Sequence, residues 1–123
     1  MNAWLLVAAL NGFLAVASGA FAAHGLSGRL DAHALQIFET GARYHMYHAL
    51  AIGLAAFAIR DAAAGAATVA ASFFLTGILL FSGSLYLLAL TGSRGFAFVT
   101  PFGGLCFLIG WGALALAATR LKI

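Results

Sequence analysis

Charged side chains are scarce in this 123-residue chain, where Lys, Arg, Asp and Glu together make up only 7% of the residues. A soluble domain carries about 25% charged residues, because its surface has to face water. Here 64% of the residues are hydrophobic, and the mean hydropathy is +1.06. Six basic and three acidic side chains cannot cover a water-exposed surface. We therefore expect most of the surface to face lipid.

Cysteine and clustered basic charge are equally scarce. Cys106 is the single cysteine, so it cannot form an internal disulfide, and we interpret it as a small apolar packing residue. The net charge of +3 comes from isolated residues without a basic run, which argues against nucleic acid as a partner. The sequence contains no complete catalytic, metal-binding or cofactor motif. We accordingly predict no catalytic residue, no metal, no cofactor and no enzymatic activity.

Four apolar runs, at about residues 3–23, 44–60, 66–91 and 97–119, are candidates for membrane spans. A helix needs about 20 apolar residues to cross about 30 Å of hydrocarbon. The first run lacks the basic start of a signal peptide, so we interpret it as a retained helix. We predict an all-α fold, an integral membrane four-helix bundle that forms a single transmembrane domain over residues 1–123.

The segment at about residues 27–43 interrupts the apolar runs with polar residues. Apolar side chains from Leu30 to Ala42 recur in it at helical spacing, and Asp31 stands near its start, where a carboxylate favours the helix dipole. This pattern predicts an amphipathic interfacial helix between the first and second spans. A solvated loop is the alternative interpretation.

The orientation in the membrane is weakly encoded. Four spans place both termini on one side, and Lys and Arg then number three on each side, so the positive-inside rule does not decide. The N-terminal amine and the tail with Arg120 and Lys122 favour that side as the cytoplasmic one. We predict that both termini are cytoplasmic.

Nearly all unusual residues fall in the membrane leaflet opposite the predicted position of the termini. Polar groups inside a bilayer are costly, which makes them candidates for function. The candidate polar cluster consists of His24, Tyr44, His45, His48, Ser82, Ser84, Tyr86 and Thr100. We interpret the histidines first as hydrogen-bonded contacts between helices, with Glu39, Tyr86 or backbone groups as partners. A small-molecule or proton site, and a haem or metal site that includes His24, are the alternatives.

Thr100 and Pro101 predict the start of the last helix, with proline in its first turn and threonine as its cap. Residues Phe96–Val99 would then enter the membrane as a non-helical segment, which has to be buried in protein or face water. We expect a shallow pocket between this segment, the stretch 82–86 and His48.

Small residues are dense within the apolar runs. In lipid they let helix backbones approach each other and gain dispersion contacts. The glycines that we predict at helix packing contacts are Gly19, Gly53, Gly83, Gly103, Gly104 and Gly110.

Several short segments also resemble a known family. They read Gly-Ala-Phe-Ala-Ala-His-Gly-Leu from residue 19, Tyr-His-Met-Tyr-His-Ala-Leu from 44, Leu-Phe-Ser-Gly-Ser-Leu-Tyr from 80, Thr-Pro-Phe-Gly-Gly from 100 and Gly-Trp from 110. In this order they resemble the YgdD-like family of bacterial inner-membrane proteins (DUF423, UPF0382), which is related to transmembrane protein 256. Ala22 replaces a glycine that is usual in the family's first segment. The resemblance implies a four-helix protein of the cell inner membrane with a cytoplasmic C-terminus, and it implies no activity.

These observations predict a small multi-pass membrane protein without enzymatic activity. We interpret it as a structural or accessory subunit or assembly partner, homo-oligomeric or part of a larger membrane complex, with the lipid bilayer around it. A transporter or channel for a small solute, proton or lipid is one alternative. No Asp or Glu lies within any predicted span, however, which removes the simplest proton-coupling group. A haem- or metal-binding protein that uses the histidines is the second alternative.

Overall fold

The computed structural model describes residues 1–122, and every regular element in that range is helical. The α-helices are α1 (Ala3–Phe21), α2 (Ala32–Ala58), α3 (Ala64–Gly77), α4 (Gly83–Thr91) and α5 (Thr100–Arg120). A π-helical turn, Ala22–Leu26, extends α1, and a second one, Ile78–Ser82, joins α3 to α4 in one continuous helix. The short 3₁₀ turns Asp61–Ala63 and Arg94–Phe98 precede α3 and α5. The prediction of an all-α fold is confirmed.

Within residues 1–122, three helical stretches are long and apolar enough to cross a membrane, namely Ala3–Leu26, Asp61–Thr91 and Arg94–Arg120. The helix α2 is absent from this set, since its first half and its histidines are too polar. It contacts α1 on one side and α3 and α4 on the other, so much of its surface meets protein instead of lipid. A fourth crossing by α2 stays a prediction.

The segment predicted as a separate interfacial helix is the first part of α2. The helix runs without a break from residue 32 to 58, about 40 Å at 1.5 Å per residue. The Asp31 side chain caps it by accepting from the Ala34 N–H at 2.7 Å. The segment contains no proline, and Gly41 packs against the Tyr86 ring, so nothing interrupts the helix before the second apolar run. Its position in the membrane interface stays a prediction.

The helices are arranged in layers, with α2 and the continuous α3–α4 helix in the middle. The outer helix α1 packs along α2, and the outer helix α5 packs along α3 and the turn Ile78–Ser82. The two outer helices, α1 and α5, make almost no contact with each other. One face of each outer helix is therefore left for lipid or for another protein.

Alanine builds the core in the half nearest the termini. The side chains with no exposed surface there include Ala55, Ala63, Ala67, Ala70 and Ala117. Because alanine is small, the backbones approach closely and gain dispersion contacts, which are the main source of helix association in lipid.

Glycine and phenylalanine interlock where α3 meets α5. A Cβ atom built on Gly110 would lie 2.6 Å from the Phe74 ring, and one on Gly103 would lie 2.7 Å from Phe81 Cβ. Between these two contacts, Gly77 of α3 takes the ring of Phe107 from α5. The absent side chains of the three glycines thus set the distance between the two helices.

The other glycines predicted at packing contacts have more room. A Cβ on Gly53 would meet Ala8 Cβ at an ordinary 3.8 Å, and one on Gly19 would meet nothing within 4 Å. At Gly83 and Gly104 the nearest atom would be 3.9 Å away. These positions leave space beside the helix and do not force a close approach.

The segment before α5 differs from the non-helical one that we expected. Residues Arg94–Phe98 form a 3₁₀ turn, and α5 begins at Thr100 with Pro101 in its first turn. Phe98 is 78% exposed, so the turn is not buried in protein. Thr100 does not cap the helix, because its hydroxyl bonds to Ser84 of α4.

Candidate functional site around two buried histidines

The polar interior of the protein centres on His45 and His48, which are 5% and 4% exposed. Both lie on α2, three residues apart and therefore on neighbouring parts of one helical face. His45 points to α1 and α4, whereas His48 points to α5. At this depth α2 is therefore hydrogen-bonded to α1, α4 and α5.

His45 connects three helices through a chain of hydrogen bonds. The Asn11 amide nitrogen donates to the Val7 carbonyl at 2.9 Å, so the amide oxygen faces His45 Nε2, at 3.0 Å. An amide oxygen only accepts, and Nε2 therefore carries the ring proton. His45 Nδ1 accepts from the Tyr86 hydroxyl at 3.0 Å. In this series of hydrogen bonds every proton is donated in the same direction, from α4 through α2 to α1.

His48 has the opposite tautomer. Its Nδ1 lies 2.8 Å from the Tyr44 carbonyl oxygen, which only accepts, so Nδ1 carries the proton. Its Nε2 accepts from the Trp111 indole N–H at 3.1 Å. Because an indole nitrogen only donates, this arrangement requires a neutral ring.

The two rings differ in their capacity for a further proton. A second proton on His48 would place an N–H opposite the N–H of Trp111. On His45, a proton at Nδ1 can be donated to the Tyr86 oxygen, since a hydroxyl both donates and accepts. Of the two, only His45 can change its protonation state and keep all its hydrogen bonds.

Aromatic rings surround His48. Phe107 stacks on it with ring centroids 3.5 Å apart and planes within 7°, while Phe74 and Trp111 approach its edges at 5.7 and 5.9 Å. Such contacts add to the burial energy and restrict the ring to one orientation. Trp111 and Phe107 come from α5, so this cluster fixes α5 to α2.

Ser84 and Thr100 connect α4 to the start of α5. Their hydroxyl oxygens are 2.6 Å apart, and Ser84 also donates to the Phe81 carbonyl at 2.9 Å. Ser82 is fully buried beside them, but its hydroxyl has no partner within residues 1–122. Of the predicted serines, Ser84 thus joins two helices and Ser82 does not.

His24 lies apart from the other histidines. It is exposed in the turn Ala22–Leu26 and makes no side-chain contact with His45 or His48. Within the described range, no three His, Cys, Asp or Glu side chains are grouped closely enough to hold a metal ion. All four ring nitrogens of His45 and His48 are already bonded inside the protein. Glu39, an expected partner, is exposed and bonds to neither ring.

The single pocket that we expected at this end is replaced by two separate clefts. One lies between the start of α2 and the turn before α5, and Asp31, His33 and Arg94 line it with apolar residues. The other lies between α2 and α5, where His48 and Phe81 line it.

Asn11 and Trp111 were missed as hydrogen-bond partners of the buried histidines. Asn11 is the only amide in the first apolar run, and a polar side chain at such a position is a signal in itself. Trp111 gives no comparable signal, because tryptophan is common at membrane surfaces. Its role depends on the histidine that stands across from it.

Comparison with known proteins identifies relatives over nearly the whole chain. A family described as "Protein of unknown function (DUF423)" matches residues 18–104. The UPF0382 membrane protein YwdK of Bacillus subtilis is 42% identical over 98% of both chains. A UPF0382 membrane protein of Haemophilus influenzae is 48% identical over 98% of this chain and 97% of its own. The UPF0382 inner membrane protein YgdD of Escherichia coli is 44% identical over 96% of this chain and 90% of its own. No solved structure gave a significant match.

Proposed function

The chain belongs to the DUF423 family of membrane proteins, and we propose that within this family it serves as a non-enzymatic accessory subunit that assembles with other membrane-embedded chains. It is a multi-pass protein of the inner membrane. The partner is either a second copy of this chain or a subunit of a larger complex. Both cases require a face that accepts a helix from another chain.

The use of the buried histidines carries the proposal. Both ring nitrogens of His45 and of His48 are bonded to groups of the protein itself. Three of these bonds join α2 to α1, α4 and α5, and the fourth, from His48 to the Tyr44 carbonyl, lies within α2. No ring nitrogen of either histidine is left to bind a metal ion or a substrate in this arrangement. The polar interior therefore supports a role in holding the fold together.

The outer surface of α1 and α2 supports the assembly role. A groove of about 380 Å³ runs between these helices, and large apolar side chains such as Leu50 and Phe57 form its walls. Small residues, among them Gly12 and Gly53, form its floor. In a bilayer such a floor lets the backbone of a further helix come close.

Native mass spectrometry of the protein in mild detergent tests this proposal. We expect an assembly larger than the monomer, and we expect Gly12→Leu to dissociate it by filling the groove. Gly112→Leu is the matched control, because Gly112 of α5 also has nothing within 4 Å of its Cβ position but lies outside the groove. A monomer without partners in the unmodified protein would refute the accessory role.

A further inference from the structure

The cleft between the start of α2, the end of α4 and the turn before α5 is a candidate binding site separate from the groove between α1 and α2. It measures about 560 Å³, which lies within the usual range for small-molecule pockets. Asp31 and His33 line it at the start of α2, and Arg94 lines it from the turn. The cleft therefore combines charged side chains of both signs.

The cleft lies at the level where lipid head groups meet the protein. The apolar stretch Asp61–Thr91 ends beside it, and the next apolar stretch, Arg94–Arg120, begins there. Gly92, between these two stretches, lines the cleft. The ends of membrane-spanning helices mark the boundary between hydrocarbon and head groups. A molecule in the cleft thus reaches both regions.

Apolar side chains line the part of the cleft that lies further along the helices. Ile37 stands six residues after Asp31 on α2, and Leu88 stands four residues before Gly92 on α4. Both are therefore at least one helical turn deeper than the charged groups. Phe98 lines the cleft as well and is 78% exposed. This part suits hydrocarbon and offers nothing to a purely polar ligand.

The two opposite charges in the cleft are not paired with each other. Within residues 1–122, the Asp31 carboxylate and the Arg94 guanidinium form no salt bridge, and the guanidinium has no hydrogen-bond partner. One oxygen of Asp31 accepts from the Ala34 N–H at 2.7 Å, and the other oxygen has no partner in that range. The cleft thus offers one anionic acceptor and one cationic donor, which do not reach each other.

We propose that this cleft binds a phosphatidylethanolamine molecule of the surrounding bilayer. Its phosphate would accept from the Arg94 guanidinium, which binds phosphate oxygens well, and its ammonium would donate to the second oxygen of Asp31. A short ethylene link separates the two charges of this head group, so one lipid can reach both side chains. Its acyl chains would continue along Leu88 and Phe98. The proposal does not depend on the accessory role.

The pair of charges selects this lipid among those with the same phosphate. Phosphatidylglycerol has no cation, so the Asp31 carboxylate would repel it without compensation. Phosphatidylcholine has a cation, but its trimethylated nitrogen has no N–H to donate to Asp31. Only the ethanolamine head group satisfies both unpaired side chains with hydrogen bonds between charged groups, which are the strong ones.

Native mass spectrometry of the delipidated protein, titrated with dioleoyl lipids in mild detergent, tests the proposal. We expect phosphatidylethanolamine to bind about tenfold more tightly than phosphatidylglycerol or phosphatidylcholine, equivalent to 1.4 kcal/mol. Glycerophosphoethanolamine, which has the head group without the chains, should not displace the lipid at equal concentration. Equal affinities for the three lipids, or displacement by glycerophosphoethanolamine, would overturn the proposal. Bound lipid is counted per chain, so the result is independent of the size of the assembly.

Two variants test the charges separately. Asp31→Asn keeps the helix cap, because an amide oxygen can accept from the Ala34 N–H, and it should abolish the preference for phosphatidylethanolamine over phosphatidylglycerol. Arg94→Gln should weaken phosphatidylethanolamine binding about tenfold. Glu39→Gln and Arg43→Gln are the matched controls, since both residues are exposed on α2 and do not line the cleft. Lipid binding by either cleft variant that equals binding by its control would also overturn the proposal.

Discussion

Opposite tautomers in two histidines on one helix face follow from the chemistry of their partners. A carbonyl oxygen faces Nδ1 of His48, and an amide oxygen faces Nε2 of His45. Each ring therefore gives its proton to a group that can only accept. The remaining nitrogen receives a proton from Trp111 or from Tyr86. Neither histidine has a free nitrogen, and both can remain buried without a charged partner.

The tautomer of His48 gives a direct spectroscopic prediction. In the ¹⁵N spectrum of the labelled protein, which has four histidines, we expect His48 to be a neutral ring protonated at Nδ1 and His45 to be a neutral ring protonated at Nε2. Assignment follows from Trp111→Phe, which should shift only the Nε2 signal of His48. The same tautomer for His45 and His48 would contradict the hydrogen-bond pattern.

The Tyr86 hydroxyl should contribute measurably to stability. Tyr86→Phe keeps the ring against Gly41 but leaves Nδ1 of His45 without a donor, and an unsatisfied buried acceptor costs about 1–3 kcal/mol. Tyr47→Phe is the control, since that hydroxyl has no internal partner. Thermal unfolding in detergent should show a lower midpoint for Tyr86→Phe only. An equal midpoint for both variants would remove His45 from the stabilising network.

Among the helices, α3 and α5 are matched through residues seven apart. Phe74 and Phe81 on one helix face Gly110 and Gly103 on the other. Between these two contacts the roles are exchanged: the glycine, Gly77, comes from α3, and the phenylalanine, Phe107, comes from α5. A spacing of seven residues keeps side chains on one face over two helical turns, which suits helices that pack side by side.

This pairing predicts different effects for two adjacent glycines. Gly103→Ala would force its Cβ into the backbone of the turn Ile78–Ser82, and overpacking of this kind typically costs about 1–3 kcal/mol. Gly104→Ala has room and should be neutral or slightly stabilising, because alanine favours helix. Unfolding by sodium dodecyl sulfate in mixed micelles measures both. Equal stability of the two variants would show that the α3–α5 contact is looser than described.

The existence of the helices was predictable from the sequence, but the continuity of α2 was not. Long apolar runs determine the first, third and last helices, because an apolar segment of about 20 residues satisfies its own backbone groups in lipid as a helix. In α2 the change from polar to apolar composition near Arg43 suggested two elements. A change in composition, however, indicates only that the helix passes from water to lipid or protein. The helix itself continues until a residue interrupts its backbone. The packing of Gly41 against Tyr86 was not visible in the sequence.

For the whole molecule, hydropathy indicates which helices lie in the membrane and does not indicate which ones are neighbours. The layered order follows from side-chain pairs that are far apart in sequence, such as His45 with Asn11 and His48 with Trp111. The histidines themselves could be selected in advance, because polar residues in an apolar segment are conspicuous. Their partners could be identified only once the helices were placed side by side.

The number of crossings determines where the termini lie, and cysteine labelling can measure it. In a Cys106→Ala background, single cysteines at Asn2→Cys and Lys122→Cys should react with an impermeant maleimide from the same side. Ser27→Cys and Ser93→Cys should react from the other side. This is the expectation for four crossings that include α2. Labelling of Asn2→Cys and Lys122→Cys from opposite sides would mean that α2 does not cross.

The π-helical turn Ile78–Ser82 has a consequence for insertions and deletions. Here the Gly83 N–H donates to the carbonyl of Ile78, five residues back, where an α-helix would use four. One residue turns an α-helix by about 100°, so the extra residue sets the angular phase of everything after it. It allows α3 to face α5 through its phenylalanines while Tyr86 of α4 faces α2. Loss of a single residue from this turn would rotate Tyr86 away from His45 by more than a quarter turn, so the number of residues in the turn is more strictly constrained than their identity.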